Sequence, residues 1–150
     1  MEIRELNQEE YTAASELLWK SFYWSEKDNV SLAGMEKFRD LTSPVSLSVN
    51  AFYESWIFCG CFEERELVAV GAAVEKTGKI LMLYVHPERK KQGYGRAMLC
   101  ELLGRLSGNE IVLNSSDEGV SFYRHFGFVA LSERVLLDDL PVTPMKWIRK

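Results

Sequence analysis

The sequence predicts an α/β fold: a central mixed β-sheet carrying about four helices. Three observations lead there. The run Ile80-Leu81-Met82-Leu83-Tyr84-Val85 within Lys79–Val85 is apolar at successive positions, so this strand is expected to be buried on both faces in the middle of a sheet. From Gly95 to Leu106 the period turns helical, with Leu99, Leu102, Leu103 and Leu106 on one face, and Ile111–Leu113 returns to a short β-rich run. Strand, helix and strand in that order imply a right-handed parallel crossover. Upstream, Trp56–Phe62 and Leu67–Val74 flank the charged turn Glu63-Glu64-Arg65-Glu66 as an antiparallel hairpin, which makes the sheet mixed.

The remaining elements follow from local signals. Met1–Leu6 is acidic and strand-like. Asn7 and Glu10 fit a capping box, Leu6 and Tyr11 a hydrophobic staple, and Tyr11, Ala14, Leu18 and Phe22 recur at helical spacing. The polar stretch Ser25–Ser31 reads as a loop before a second short helix, capped by Ser31 and presenting Met35, Phe38 and Leu41 inward. After Pro44 the pattern changes to strands. Thr77-Gly78 marks a turn, and Ser107-Gly108-Asn109 ends the helix that follows the central strand. A further helix runs from a Ser116 cap through Val120, Tyr123 and Phe126 to Gly127, which suits a left-handed C-cap. Phe128–Leu131, Arg134–Leu137 and Met145–Ile148 read as two closing strands around Asp138-Asp139-Leu140-Pro141.

Composition bounds the function classes. A chain of 150 residues, 47% hydrophobic, is long enough for one ordinary core and too short for two comfortable ones, so residues 1–150 are expected to form a single domain. Its apolar runs fall far short of the roughly 20 residues a membrane span needs. The N-terminus lacks the basic-then-apolar pattern of a signal peptide, and a cytoplasmic location is the default expectation. A net charge of -4 argues against a nucleic-acid partner, which would need a broad basic face. Of three cysteines, Cys59 and Cys61 sit two apart on a strand and share a face. With no further ligands nearby they read as strand packing, and no metal is expected.

Against that acidity, Arg89, Lys90, Lys91 and Arg96 crowd into the segment His86–Arg96, punctuated by Gly93 and Gly95. The segment lies between a central strand and the start of a helix, where free backbone N–H groups and the helix dipole favour an anion. The glycines permit a tight turn and close approach of a ligand to the backbone. A phosphate-bearing ligand fits; the plainer reading is a glycine turn with a solvated charge run. The spacing is not that of a Walker loop, and Met98 stands where a dinucleotide fingerprint needs its third glycine.

Val85-His86-Pro87-Glu88-Arg89-Lys90-Lys91-Gln92-Gly93-Tyr94-Gly95 resembles the V-x-P-x-x-[RQ]-x-x-G-x-[GA] segment of the Gcn5-related N-acetyltransferase (GNAT) superfamily. One departure is visible: Lys90 stands where the family usually carries Arg or Gln. Leu113–Phe128 resembles the family's fifth strand and fourth helix, including its aromatic-Tyr-x-x-x-Gly-Phe ending, and Thr143-Pro144-Met145 resembles a closing strand. Val30–Ser55 is the least similar part. The resemblance implies an acyl-CoA N-acyltransferase fold and direct transfer of acetyl from acetyl-CoA to an amine-bearing small molecule or peptide. It implies that Leu83 and Val85 meet the cofactor along the fourth strand, with the Val85 N–H polarising the thioester carbonyl. Lys90, Lys91, Gln92, Gly93, Tyr94, Gly95 and Arg96 would surround the pyrophosphate, Asn114 would bond the pantetheine arm, and Tyr123 would protonate the leaving thiolate. The alternative reading of Tyr123 is core packing beside Phe122 and Phe126, and that of Asn114 a helix-entry turn residue.

The base is not visible. The family often places a glutamate on the fourth strand, where this chain has Leu81, Met82 and Leu83. Glu75 belongs to the hairpin end. Glu26 and Asp28, in the expected loop after the first helix, are placed either to bind a cationic acceptor or simply to be solvated. His86 precedes Pro87 and serves the turn. A water chain or a neutral acceptor would substitute, and a catalytically silent acyl-CoA-binding module is the alternative reading. Nothing in the sequence opposes a homodimer.

Overall fold

In the computed structural model, which describes residues 1–150, one sheet runs through the molecule. Its strands are β1 (Glu2–Glu5), β2 (Ile57–Glu63), β3 (Glu66–Val74), β4 (Lys79–Val85), β5 (Glu110–Ser115), β6 (Val129–Ala130), β7 (Val135–Leu137) and β8 (Leu140–Ile148), in the spatial order β1-β2-β3-β4-β5-β8-β6 with β7 on β8. Every pairing is antiparallel except β4 with β5. The helices are α1 (Tyr11–Glu26), α2 (Leu32–Leu41), α3 (Pro44–Tyr53), α4 (Tyr94–Arg105) and α5 (Val120–Phe126).

Two cores form on the two faces of the sheet. Leu17, Leu18, Phe22, Phe38 and Leu47 of α1–α3 pack with Val70 and Ala72 on one face. Met98, Leu99, Leu102 and Leu103 of α4 pack with Ala69 and Ala73 on the other. Small residues in β3 let α4 sit close: a Cβ on Gly71 would lie 2.8 Å from Met98 Cγ. Cys59 and Cys61 share this second core, and burial pushes the Cys59 thiol up to about 11.

Several sequence expectations are corrected here. The first helix extends through Ser25 and Glu26 into the stretch read as loop, and Glu26 is buried. The Ser31 cap holds, its hydroxyl accepting the Gly34 N–H at 3.1 Å, and Met35 and Phe38 are buried, but Leu41 is exposed. Pro44–Tyr53 is a helix, raising the count to five. Pro44 sits in its first turn, where proline costs no hydrogen bond, and the Ser43 hydroxyl accepts the Ser46 N–H at 3.2 Å. Its periodicity was faint because only Leu47 is buried while Val45, Val49, Phe52 and Tyr53 face outward. At the C-terminal end three strands stand where two were expected. Asp138 and Asp139, with φ of 52° and 65°, turn β7 back onto β8.

The pairing of β4 with β5 is confined to Lys79 with Val112 and Ile80 with Leu113. Beyond those residues the two strands diverge. Leu81–Val85 therefore carries a free edge in the middle of the sheet, which is why this strand is largely half-buried instead of sealed on both faces.

Candidate active site

The divergence opens a cleft of about 390 Å³ between the C-terminal halves of β4 and β5, bounded by the loop entering α4 and the start of α5. Leu83, Val85, Lys90, Lys91, Gly93, Tyr94, Gly95, Arg96, Asn114 and Tyr123 all line it. Gln92 is exposed and stands outside the lining.

The free edge of β4 supplies backbone groups. The His86 N–H donates to the Val68 carbonyl at 2.8 Å, so by strand alternation Tyr84 and His86 face β3 while Leu83 and Val85 turn their amides toward the cleft. The Val85 carbonyl accepts the Ser21 hydroxyl of α1 at 2.9 Å, which fixes that peptide in place.

After β4, Pro87–Arg89 makes one 3₁₀ turn, and His86 Nδ1 accepts the Glu88 N–H at 3.1 Å, so this imidazole serves the turn. Lys91 and Gly93 then take positive φ of 63° and 89°, and Gly93 becomes the N-cap of α4. Ala97 donates to the Gly93 carbonyl at 3.0 Å as the first intrahelical bond, leaving the N–H groups of Tyr94, Gly95 and Arg96 at the open helix end. A Cβ on Gly93 would meet nothing within 4 Å. Open space over free N–H groups is the geometry an anion needs.

The side chains around this cradle are more committed than the sequence implied. Tyr94 turns inward, donating its hydroxyl to Glu63 at 3.0 Å, so it offers the cleft only backbone. Arg89 pairs with Glu66. The Arg96 guanidinium stands 5.2 Å from the Phe126 ring centroid. Lys90 Nζ is 2.6 Å from Glu118 Oε1 and 5.2 Å from the Trp24 ring centroid, bridging to the far side of the cleft. Lys91 is exposed and in no ion pair.

Across the cleft, Asn114 is half-buried on β5 opposite Pro144. The Tyr123 ring packs edge-on against Phe122 at 5.1 Å and Phe128 at 5.4 Å, so it is a core aromatic that also borders the cleft. Burial pushes its phenol pKa up, which keeps the hydroxyl protonated. Tyr84 also borders the cleft, and its phenol is raised by burial first, then by Tyr123, Glu26 and Glu118.

Glu26 is the residue whose setting the sequence concealed. It is 1% exposed and neither carboxylate oxygen has a hydrogen-bond partner. Asn29 and Ser116 approach without completing one, while burial, then Asp117 and Glu118, raises its pKa. A signal existed: Leu18, Phe22 and Glu26 stand at i, i+4 and i+8, so continuing the helical period places this carboxylate on the buried stripe of α1.

An open helix N-terminus continuous with an open strand edge suits an elongated phosphorylated ligand with an amide-bearing arm, so these residues fit acetyl-CoA. Comparison with known proteins points the same way. No curated protein matches the chain. Among solved structures, a GCN5-related N-acetyltransferase from Rhodopseudomonas palustris superposes with a TM-score of 0.82 at 19% identity, covering 98% of this chain and 94% of that one. The PaiA N-acetyltransferase of Thermoplasma acidophilum, solved with coenzyme A, gives 0.80 at 23% identity and 98% coverage of both chains. YncA of Salmonella typhimurium, a putative acetyltransferase solved with acetyl-CoA, gives 0.68 at 13% identity, covering 100% of this chain and 94% of that one. At these identities the likeness shows the fold. The model of the acetyltransferase (GNAT) domain matches residues 26–149, most of the length, and the chain belongs to that family.

Proposed function

We propose that the protein is an acetyl-CoA-dependent N-acetyltransferase that passes acetyl to a primary amine by direct attack in a ternary complex. The observation that carries this reading is the continuity of the open α4 N-terminus with the free edge of β4 in one cleft that Tyr123 also borders. In this reading the N–H groups around Gly93–Arg96 hold the pyrophosphate, with Lys90 and Lys91 adding charge and Gln92 at the loop's outer edge. The amide edge at Leu83 and Val85 and the side chain of Asn114 hold the pantetheine arm. The Val85 N–H polarises the thioester carbonyl, and Tyr123 returns a proton to the departing sulfur. Two of the similar structures, an N-acetyltransferase bound to coenzyme A and a putative acetyltransferase bound to acetyl-CoA, support the co-substrate.

A second reading, an acyl-CoA-binding module without turnover, is favoured by one observation: Leu81, Met82 and Leu83 leave β4 without a carboxylate. Thiol release from acetyl-CoA in the presence of a panel of primary amines decides between them. Amine-dependent release supports transfer; CoA binding by calorimetry with no release for any amine supports the silent module. We further propose that residues 1–150 act as one cytoplasmic domain. Separately, no helix is long and apolar enough to cross a membrane.

A further inference from the structure

Glu26 holds the only fully buried side-chain oxygens in the protein without a hydrogen-bond partner. A buried carboxylate left alone is costly, so a native structure that keeps one calls for a partner that arrives later. Its neighbours do not neutralise it. Tyr84 faces it from β4, and Ser116, Asp117 and Glu118 face it from the segment between β5 and α5. Asp117 already accepts Arg134 Nε at 2.9 and 3.0 Å, and Glu118 already holds Lys90. The charges that act on it are therefore like-signed, and the cations beside those two carboxylates, Arg134 and Lys90, are engaged with them. Tyr84 and Ser116, however, both line the cleft and both neighbour Glu26, which does not line it, so these two residues connect the buried carboxylate to the cleft.

We propose that Glu26 is the terminal acceptor of the proton that the acceptor's ammonium must lose, reached through Ser116 and Tyr84, and that the acceptor is an alkylamine, cationic when it arrives. This rests on the N-acetyl transfer reading above. The charges are placed accordingly, with Lys91 and Arg96 lining the α4 side of the cleft, Glu118 lining the side before α5, and Glu26 buried behind that lining.

The protons balance. The ammonium R–NH₃⁺ loses one proton toward Glu26, giving a neutral amine and a carboxylic acid. The nitrogen lone pair then forms the C–N bond at the thioester carbonyl, and collapse breaks the C–S bond. The sulfur takes a proton from the Tyr123 phenol, which recovers one as the new amide nitrogen sheds its second. Products are the N-acetyl amide, the free thiol and one proton, which Glu26 releases to solvent. Burial and the charges of Asp117 and Glu118 raise its carboxyl pKa, making it a better proton acceptor than an exposed glutamate. Because it works through hydroxyls, its signature is a pH profile.

The test uses the full chain as wild type, Glu26→Gln and Glu26→Asp, with acetyl-CoA and propylamine, putrescine, glycinamide and a lysine-containing peptide. Glu26→Gln is expected to lower kcat/KM for the best acceptor on the order of 100-fold near neutral pH. The loss should shrink as pH approaches the amine's own pKa, and should be smaller for glycinamide, the weakest base of the panel. Glu26→Asp should fall between the two, and CoA affinity should not move. An unchanged pH–rate profile in an active, folded Glu26→Gln protein overturns the proposal. If the wild type acetylates no amine, the transfer reading fails separately, and propylammonium binding to the CoA complex then decides. Weaker binding in Glu26→Gln keeps Glu26 as the buried carboxylate that favours an ammonium in the cleft; equal binding, or none to either, removes it.

Discussion

Lys90 Nζ lies 2.6 Å from Glu118 Oε1, joining the loop after β4 to the loop before α5 across the cleft. Both side chains retain solvent contact, at 27% and 44% exposure, so the pair contributes little to stability and is screened by salt. Its consequence is for binding, because a lysine held by a carboxylate is less available to a phosphate. Lys90→Ala should weaken CoA binding only a few-fold, and less at high salt. Glu118→Gln should strengthen it by releasing the lysine. Calorimetric titration of both variants at two salt concentrations checks this; a tighter Lys90→Ala complex would show that the lysine belongs to the carboxylate.

Gly93 and Gly95 separate the conformational from the steric use of glycine. At Gly93 the φ of 89° disfavours any side chain although a Cβ would meet nothing within 4 Å. At Gly95 the φ is unexceptional, and a Cβ would make ordinary contacts of 3.6 Å with Phe122 Cζ and Val85 Cγ2. Gly93→Ala should therefore lower Tm by a few degrees through backbone strain. Gly95→Val should keep a near-native Tm and lose CoA affinity by about tenfold or more, since its branched methyls enter the cradle. Unchanged CoA affinity in a folded Gly95→Val protein would remove the pyrophosphate assignment.

What the sequence made legible was local. The switch from the apolar run ending at Val85 to the Leu99-Leu102-Leu103-Leu106 stripe, with glycines between, announces strand, anion loop and helix within one stretch. The cleft is not local, because it depends on β4 and β5 ceasing to pair after Ile80 and Leu113, which no residue pattern in either strand records. The commitments of Lys90 to Glu118 and of Tyr94 to Glu63 join distant segments and were equally hidden. Pro44–Tyr53 was missed for a different reason: one buried leucine gives no period to read. Glu26 lay in a polar run that looks solvated, and the groups that meet it there, Tyr84, Ser116, Asp117 and Glu118, come from distant segments.

Tyr123 is assigned to the leaving sulfur and not to cofactor affinity, and Tyr123→Phe tests that division. The ring's contacts with Phe122 and Phe128 survive the loss of the hydroxyl, so the fold and CoA binding should be preserved. General-acid catalysis is typically worth on the order of 100-fold or more, and water can replace part of it. Turnover should fall at least about tenfold at unchanged CoA affinity when chemistry limits the rate. Single-turnover measurement with the best amine is the check, and a Phe variant with wild-type chemistry would leave Tyr123 as a core aromatic only.

Glu10 and Glu26, one before α1 and one in its last turn, should give the helix opposite pH signatures. The Arg4 guanidinium, at 2.7 and 2.8 Å, and the Asn7 N–H, at 2.9 Å, hold the Glu10 carboxyl down to about 2. A depressed folded-state pKa gives stability that is present above the unfolded value of about 4.3 and lost as pH falls toward the folded one. Glu10→Gln should thus cost a few degrees of Tm at neutral pH, with the difference narrowing as pH falls from about 4 toward 2. Glu26 runs the other way. Its pKa is raised by burial, so the folded state resists its ionisation and loses stability as pH rises above the unfolded value. Glu26→Gln should therefore be more stable than wild type in mild alkali and converge with it in mild acid. Thermal melts of the three proteins across that range read both signs at once. A Glu26→Gln protein whose Tm tracks wild type at every pH would mean that this carboxylate is already neutralised in the folded chain, against the partnerless setting the structure gives it.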